Sequence, residues 1–252
     1  MNPEISVVAP LRNESPNVAP LAEQIFKAFG NDPRPVELIL VDDGSTDDTW
    51  DRIMALRKAD PRVRPLRHAT SRGQSAALWS GFMASRGRII ATLDGDLQND
   101  PADLPRMIGE LSGCDMVCGV RTKRQDSRVR KISSAIARGA RKAVLHAEFR
   151  DTGCNLRAFK REVLATLPAF DGIHRFMPIL AQGGGARVIE TPVNHHPRTA
   201  GKTKYGVWNR LGRGILDLFV VRWYLKRQIK TMLRAESPAE SEGVPIGSEK
   251  SR

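Results

Sequence analysis

A chain of 252 residues that is 40% hydrophobic and 27% charged carries enough apolar material to bury a core and is not disordered as a whole. Its 40 Lys and Arg against 28 Asp and Glu leave a formal charge of +12, which excludes an acidic solvating protein and points to an anionic partner: nucleic acid, a phosphorylated ligand or a membrane surface. Cys114, Cys118 and Cys154 are too few and too scattered for a disulfide framework and lack the spacing of a structural zinc site, so they are expected as buried apolar residues in a reducing cytoplasm.

In chain order, Ile5–Pro10 and Val36–Val41 are short apolar, β-branched runs closed by turn chemistry, the pattern of buried strands. Val63–Arg67, Ile89–Leu93 and Met116–Val120 repeat it. Between them the spacing predicts helices over about 16–29, 47–59, 73–85 and 103–111. This alternation predicts an α/β fold: a mostly parallel sheet with helices on both faces, which binds ligands at the carboxyl ends of its strands. Gly183-Gly184-Gly185 reads as a helix-to-strand turn. No G-x-G-x-x-G follows a strand and no P-loop is present, which excludes a dinucleotide Rossmann enzyme and a P-loop NTPase. The N-terminus has no basic region followed by an apolar stretch, so no signal peptide is expected. No run approaches 18 apolar residues.

The charge is unevenly placed. Residues 1–120 are mildly acidic, whereas 121–142 carry a net +8 and 198–234 a net +9. Residues 235–252 are rich in Ser, Glu, Pro and Gly and are expected to be a disordered tail.

Two strands end in paired acids. Val36–Val41 runs into Asp42-Asp43-Gly44-Ser45, and Ile89–Leu93 into Asp94-Gly95-Asp96-Leu97-Gln98. Read as extended backbone, Asp94 and Asp96 leave the same face, with Gly95 letting the chain turn. Two converging carboxylates repel unless a cation joins them, and hard ions such as Mg²⁺ or Mn²⁺ complete an oxygen shell with phosphate. Single acids after strands are ordinary turn formers. The repetition at two strand ends predicts a metal–diphosphate site. His195 and His196 alternate sides in a strand and are not expected to share an ion.

These residues resemble family-2 glycosyltransferases of the GT-A fold, specifically the dolichol- or polyprenyl-phosphate sugar transferases. The resemblance runs over about residues 4–226. It rests on Val7-Val8-Ala9-Pro10-Leu11-Arg12-Asn13-Glu14, Val41-Asp42-Asp43-Gly44-Ser45-Thr46-Asp47, Arg72-Gly73-Gln74, Leu93-Asp94-Gly95-Asp96-Leu97-Gln98 and Gly119-Val120-Arg121. Downstream it continues through Asp151-Thr152-Gly153-Cys154, Phe159-Lys160-Arg161-Glu162, Asp171-Gly172-Ile173-His174-Arg175-Phe176, His196-Pro197-Arg198 and Gly201-Lys202-Thr203-Lys204-Tyr205-Gly206. It implies that Pro10, Arg12, Glu14, Asp42, Asp43, Gly73, Gln74, Asp94 and Gly95 bind the nucleotide sugar. Asp94 and Asp96 would hold Mg²⁺ or Mn²⁺, with Gln98 and Arg121 completing the catalytic set. Arg198 and Lys204 would face the acceptor phosphate. The basic run 121–142 fits that chemistry by itself, since Arg forks match phosphate oxygens and hydroxyls add donors, and it offers Arg130 and Ser134 for the same phosphate. The chain departs from many members in having Leu11 and Arg12 where Tyr or Phe is frequent, and Asn99 where His often follows the Gln.

The expected function is inverting transfer of a sugar from a UDP- or GDP-sugar to a polyprenyl phosphate, by a protein peripheral to the cytoplasmic membrane face. A catalytic domain would span 1–206, a basic amphipathic membrane-associating helix 207–234 and the tail 235–252. The alternative is a hydroxyl acceptor on a polysaccharide, glycolipid or protein. That reaction needs a general base, and no convincing one stands at the matching position, Asp171 being the residue left open. A nucleic-acid partner is not expected, because it would need no acid clusters at strand ends. A homo-oligomer is compatible with the sequence.

Overall fold

Strict alternation along the first two strands builds the molecule around one sheet. In β1 (Ile5–Leu11), Ile5, Val7, Ala9 and Leu11 face one core and Val8 the other. In β2 (Val36–Asp42), Leu38 and Leu40 join the first core, Ile39 and Val41 the second. The computed structural model describes residues 2–122, 138–197 and 207–229, with side chains over the same ranges except 207–215.

Among the described residues seven strands form one mixed sheet in the order β3-β2-β1-β4-β6-β5-β7. β3 (Val63–Arg67), β2, β1 and β4 (Ile89–Thr92) are mutually parallel. β5 (Met116–Arg121) runs parallel to β7 (Val188–Val193). Between the two parallel sets lies β6 (Arg157–Lys160), antiparallel to both β4 and β5. The expected α/β sheet is therefore present, and each predicted strand falls within one residue of its place. β6 was not predicted, because four residues that include a fully buried Arg157 carry no apolar alternation.

One face is covered by α1 (Val18–Ala28), α2 (Thr49–Ala59) and α4 (Leu104–Gly109), through Leu21, Ile25, Ile53, Leu104 and Met107. The other face is covered by α3 (Gln74–Ala84), α6 (Met177–Gly183) and α7 (Val207–Arg227), through Leu78, Phe82, Met177, Leu180, Leu218 and Val221. Residues 138–145 are helical as well (α5). The helix predicted over 16–29 begins as a 3-10 turn at Ser15–Asn17, where Pro16 suits a first helical position, and continues as α1. That predicted over 103–111 is α4 flanked by 3-10 turns. The glycine run lies between α6 and β7, as expected. All three cysteines are buried. The tail 235–252 lies outside the described residues.

Candidate active site

The parallel strands deliver their carboxyl ends to one edge of the sheet. β2 ends at Asp42, and β4 is followed by Leu93 and Asp94, with β1 between them. In register, Leu11 lies beside Asp42 and Asp42 beside Arg67.

The Asp42-Asp43 pair is spent largely on its own surroundings. Asp42 is fully buried; its Oδ1 accepts from Ser45 N–H at 3.0 Å and its Oδ2 pairs with Arg67 Nε at 3.1 Å. Asp43 accepts four hydrogen bonds, from His68 Nδ1 and Arg72 N–H on Oδ1 and from Ser71 Oγ and Gly73 N–H on Oδ2, at 2.7–2.9 Å. It therefore shapes the 68–73 loop that leads into α3. Burial alone would raise the Asp43 carboxyl, but these four donors outweigh it and hold it below the ordinary carboxylate range. A depressed folded value contributes stability above about pH 4 that is lost as the pH falls through it. Asp43→Asn is thus expected to lower the melting temperature at pH 7 and to flatten its decline between pH 5 and pH 3, as followed by circular dichroism. The β1 loop is tied to the same corner: Thr46 N–H donates to Asn13 Oδ1 at 2.8 Å, Glu14 N–H to Thr49 Oγ1 at 3.0 Å and Asn17 Nδ2 to Glu14 Oε2 at 2.7 Å. Arg12 is exposed beside it, and Pro10 is half-buried in β1.

Asp94 and Asp96 come together through a turn rather than along extended backbone. Gly95 lies against β1, where a Cβ would fall inside the Leu11 side chain and 3.0 Å from the Pro10 carbonyl oxygen. Leu97 follows with φ 60°, and Gln98 N–H closes the turn on Asp96 Oδ1 at 3.2 Å. Gln74 Nε2 and Asn155 Nδ2 donate to Asp94 Oδ1 at 2.8 and 2.9 Å. Burial, and then the neighbouring Asp96 charge, push the Asp94 carboxyl up to about 6, against the opposing Asn155 hydrogen bond and the Arg121 and Arg157 charges.

Such a pair suits a divalent cation. Two oxygen-bearing groups are held close enough to disfavour joint ionisation, as a hard cation would relieve. Among the described residues, no group of three or more His, Cys, Asp or Glu side chains is arranged to hold a metal. Two carboxylates alone would suit an ion that completes its shell with water and phosphate oxygens.

Arg121 ends β5 and forks onto Asp151, with Nε to Oδ2 at 2.7 Å and Nη2 to Oδ1 at 2.8 Å. This pairing raises its pKa over the opposing effect of burial, so the cation is permanent. Glu190 Oε1 in turn accepts from Arg150 and Asp151 N–H at 2.8 and 3.2 Å. Arg130, Ser134, Arg198 and Lys204 lie outside the described residues. The segment leading to Arg198 is stitched to the acidic turn: His196 N–H donates to Gln98 O at 2.8 Å, and Asn99 and His195 form an isolated antiparallel bridge. Asp171 is exposed.

Sequence reasoning missed Asn155 and Arg157. Arg157, 1% exposed, donates to the carbonyls of Cys154, His174 and Thr152 at 3.0, 2.6 and 2.9 Å, locking the 151–155 loop to the 173–175 turn. The only available signals were an Asn adjoining the Asp151–Cys154 block and an Arg set among apolar neighbours.

A sheet of this order, with paired acids where its parallel strands end, has the architecture of the GT-A fold. The sequence profile of glycosyl transferase family 2 matches residues 6–167, and the chain belongs to that family. Among curated relatives it is 38% identical over 232 residues to the dodecaprenyl-phosphate galacturonate synthase of Rhizobium johnstonii, covering 88% of this chain and 68% of the relative. It is 35% identical over 207 residues to the undecaprenyl-phosphate 4-deoxy-4-formamido-L-arabinose transferase of Shewanella sediminis, covering 81% of this chain and 62% of the relative. The chain thus spans roughly two thirds of the length of these relatives. Among solved structures it is similar to a mannosyltransferase from Pyrobaculum calidifontis in complex with GDP-mannose and Mn²⁺ (TM-score 0.62, 22% identity, 88% of this chain and 64% of that one). It is likewise similar to glucosyl-3-phosphoglycerate synthase from Mycobacterium tuberculosis in complex with Mg²⁺ and UDP (TM-score 0.64, 22% identity, 87% and 79%). The fold is shared with both.

Proposed function

We propose that this chain transfers a sugar, with inversion, from a UDP- or GDP-sugar to a polyprenyl phosphate at the cytoplasmic face of a membrane. The observation that carries the reading is the Asp94–Asp96 pair facing the Arg121–Asp151 fork at the carboxyl edge of the sheet. The names of the relatives, which join a sugar to a polyprenyl phosphate, support the acceptor class.

In this reading Pro10, Arg12, Glu14 and the Asp42–Asp43 corner receive the nucleoside, while Gly73 and Gln74 border the sugar diphosphate. Asp94 and Asp96, with Gln98 beside them, would hold Mg²⁺ or Mn²⁺, which when bound supplies positive charge to the departing diphosphate. Arg121, held in one plane by Asp151, adds a permanent positive charge to the same edge. An acceptor phosphate is anionic near neutral pH. Its oxygen attacks the anomeric carbon as the bond to the diphosphate breaks, so positioning replaces a general base. Arg130, Ser134, Arg198 and Lys204 are proposed to provide that positioning. The test is an assay of purified protein with undecaprenyl phosphate in detergent, Mg²⁺ or Mn²⁺ and a panel of UDP- and GDP-sugars, read by mass spectrometry. A glycosylated lipid that disappears with EDTA is expected. Donor hydrolysis without a lipid product would favour a hydroxyl acceptor instead.

Membrane attachment by α7 belongs to the same reading. Leu218 and Val221 bury one side of the helix, Leu225 packs over Gly183, and Arg222 caps α5 by donating to Val144 O at 2.6 Å. On the other side Leu216, Phe219, Val220 and Trp223 are 56–68% exposed, beside exposed Lys226 and Arg227. An exposed apolar stripe with basic residues suits the headgroup region of an anionic bilayer. Among the described residues no helix is long and apolar enough to cross a membrane. Phe219→Ser with Trp223→Ser is expected to lower sedimentation with phosphatidylglycerol vesicles at least about tenfold while leaving the melting temperature unchanged, since about 3 kcal/mol of apolar burial is removed.

A further inference from the structure

β5 ends at Arg121, and residues 151–156 form the stem that returns the chain to the sheet at Arg157. The Arg121–Asp151 fork ties that stem to the end of β5. On the returning stem sits Asn155, 6% exposed, whose backbone carbonyl accepts from Thr92 Oγ1 at 2.6 Å. Thr92 ends β4, two residues before Asp94. Arg157 fixes the same stem from below through the Cys154 and Thr152 carbonyls. The side chain of Asn155 thus reaches Asp94 from a backbone anchored to the strand that delivers Asp94.

Both amides, Gln74 Nε2 from the first residue of α3 and Asn155 Nδ2 from the returning stem, converge on the same oxygen, Oδ1. Asp94 N–H is bound as well, to Asn99 Oδ1 at 3.1 Å. Among the described residues no hydrogen bond reaches Oδ2. A carboxylate oxygen that already accepts two N–H groups has little lone-pair density left for a cation, whereas its partner oxygen keeps all of it. Amides on one oxygen also hold the carboxylate in a single rotamer, as outer partners of metal ligands commonly do.

We propose that Asn155 is a positioning residue that, with Gln74, orients Asp94 so that Oδ2 is offered to the divalent cation. This rests on the metal-dependent reading above. It also joins the two halves of the site, because the stem that carries Asn155 is the stem that holds Arg121.

The test is Mn²⁺ titration of the full chain by electron paramagnetic resonance, alone and with UDP or GDP present, on the wild type, Asn155→Ala, Gln74→Ala and the double variant. Each single variant is expected to weaken Mn²⁺ binding about tenfold or more, and the double variant further, at near-wild-type near-UV circular dichroism. Loss of a merely structural contact would move the melting temperature and leave the Mn²⁺ affinity in place. Folded variants that bind Mn²⁺ as the wild type does would overturn the positioning role alone. If Asn155→Ala does not fold, Gln74→Ala decides, since its donor comes from a different element. A wild type that binds no Mn²⁺ under either condition would overturn both this role and the metal-dependent reading.

Discussion

Asp96→Ala is expected to abolish sugar transfer, lowering turnover at least about a thousandfold, or roughly 4 kcal/mol in the barrier, while the protein stays folded. Asp96 is half-buried in the turn after β4. Its charge raises the Asp94 carboxyl, second only to burial, so its removal relieves a repulsion and lets Asp94 fall toward the ordinary carboxylate range. The substitution also removes the acceptor of the Gln98 N–H, so the two effects oppose each other and a small net change in stability is expected. In the proposed reading the loss falls on function, because one carboxylate would be left to hold the ion that meets the diphosphate. Turnover of lipid phosphate measured at saturating donor and Mn²⁺ separates this from weakened substrate binding. Wild-type turnover in the variant would remove the carboxylate pair from the chemistry.

Arg157→Met is expected to act in the opposite way, on stability first. The substitution keeps a long apolar stem but leaves the carbonyls of Cys154, His174 and Thr152 without their donor. Each buried group left unsatisfied costs about 1–3 kcal/mol, so for these three a total of roughly 3–9 kcal/mol is at stake, on the order of 10–30 °C in melting temperature. Activity should fall too, even well below the transition, because the same loop presents Asp151 to Arg121 and Asn155 to Asp94. Thermal denaturation and the Mn²⁺ titration separate the two effects. An unchanged melting temperature would mean that other donors reach these carbonyls.

The fold was legible to the extent that it is written locally. Apolar runs such as Ile5–Pro10 and Val36–Val41 have the length and side-chain period of strands buried on both faces, and the helices between them carry their own punctuation. The acidic turn was legible for the same reason: Asp94, Gly95 and Asp96 follow a strand directly, and a strand in a parallel sheet can only present such a turn at its carboxyl end. Arg121 closes β5 in the same manner. What these acids do individually was less legible. Asp42 and Asp43 follow β2 just as Asp94 follows β4, yet Asp43 spends both oxygens on the 68–73 loop, which no spacing announces.

The remainder depends on contacts between distant parts of the chain. Asn155 and Asp94 are 61 residues apart and Gln74 and Asp94 are 20 apart, so no window of sequence contains their meeting. They meet because β6 enters the sheet antiparallel between β4 and β5, setting the 151–155 stem against the end of β4. Composition and periodicity report which residues want burial and at what repeat. The reach of one side chain toward another is set by sheet order and strand direction, and these are settled only when the whole set of strands packs at once.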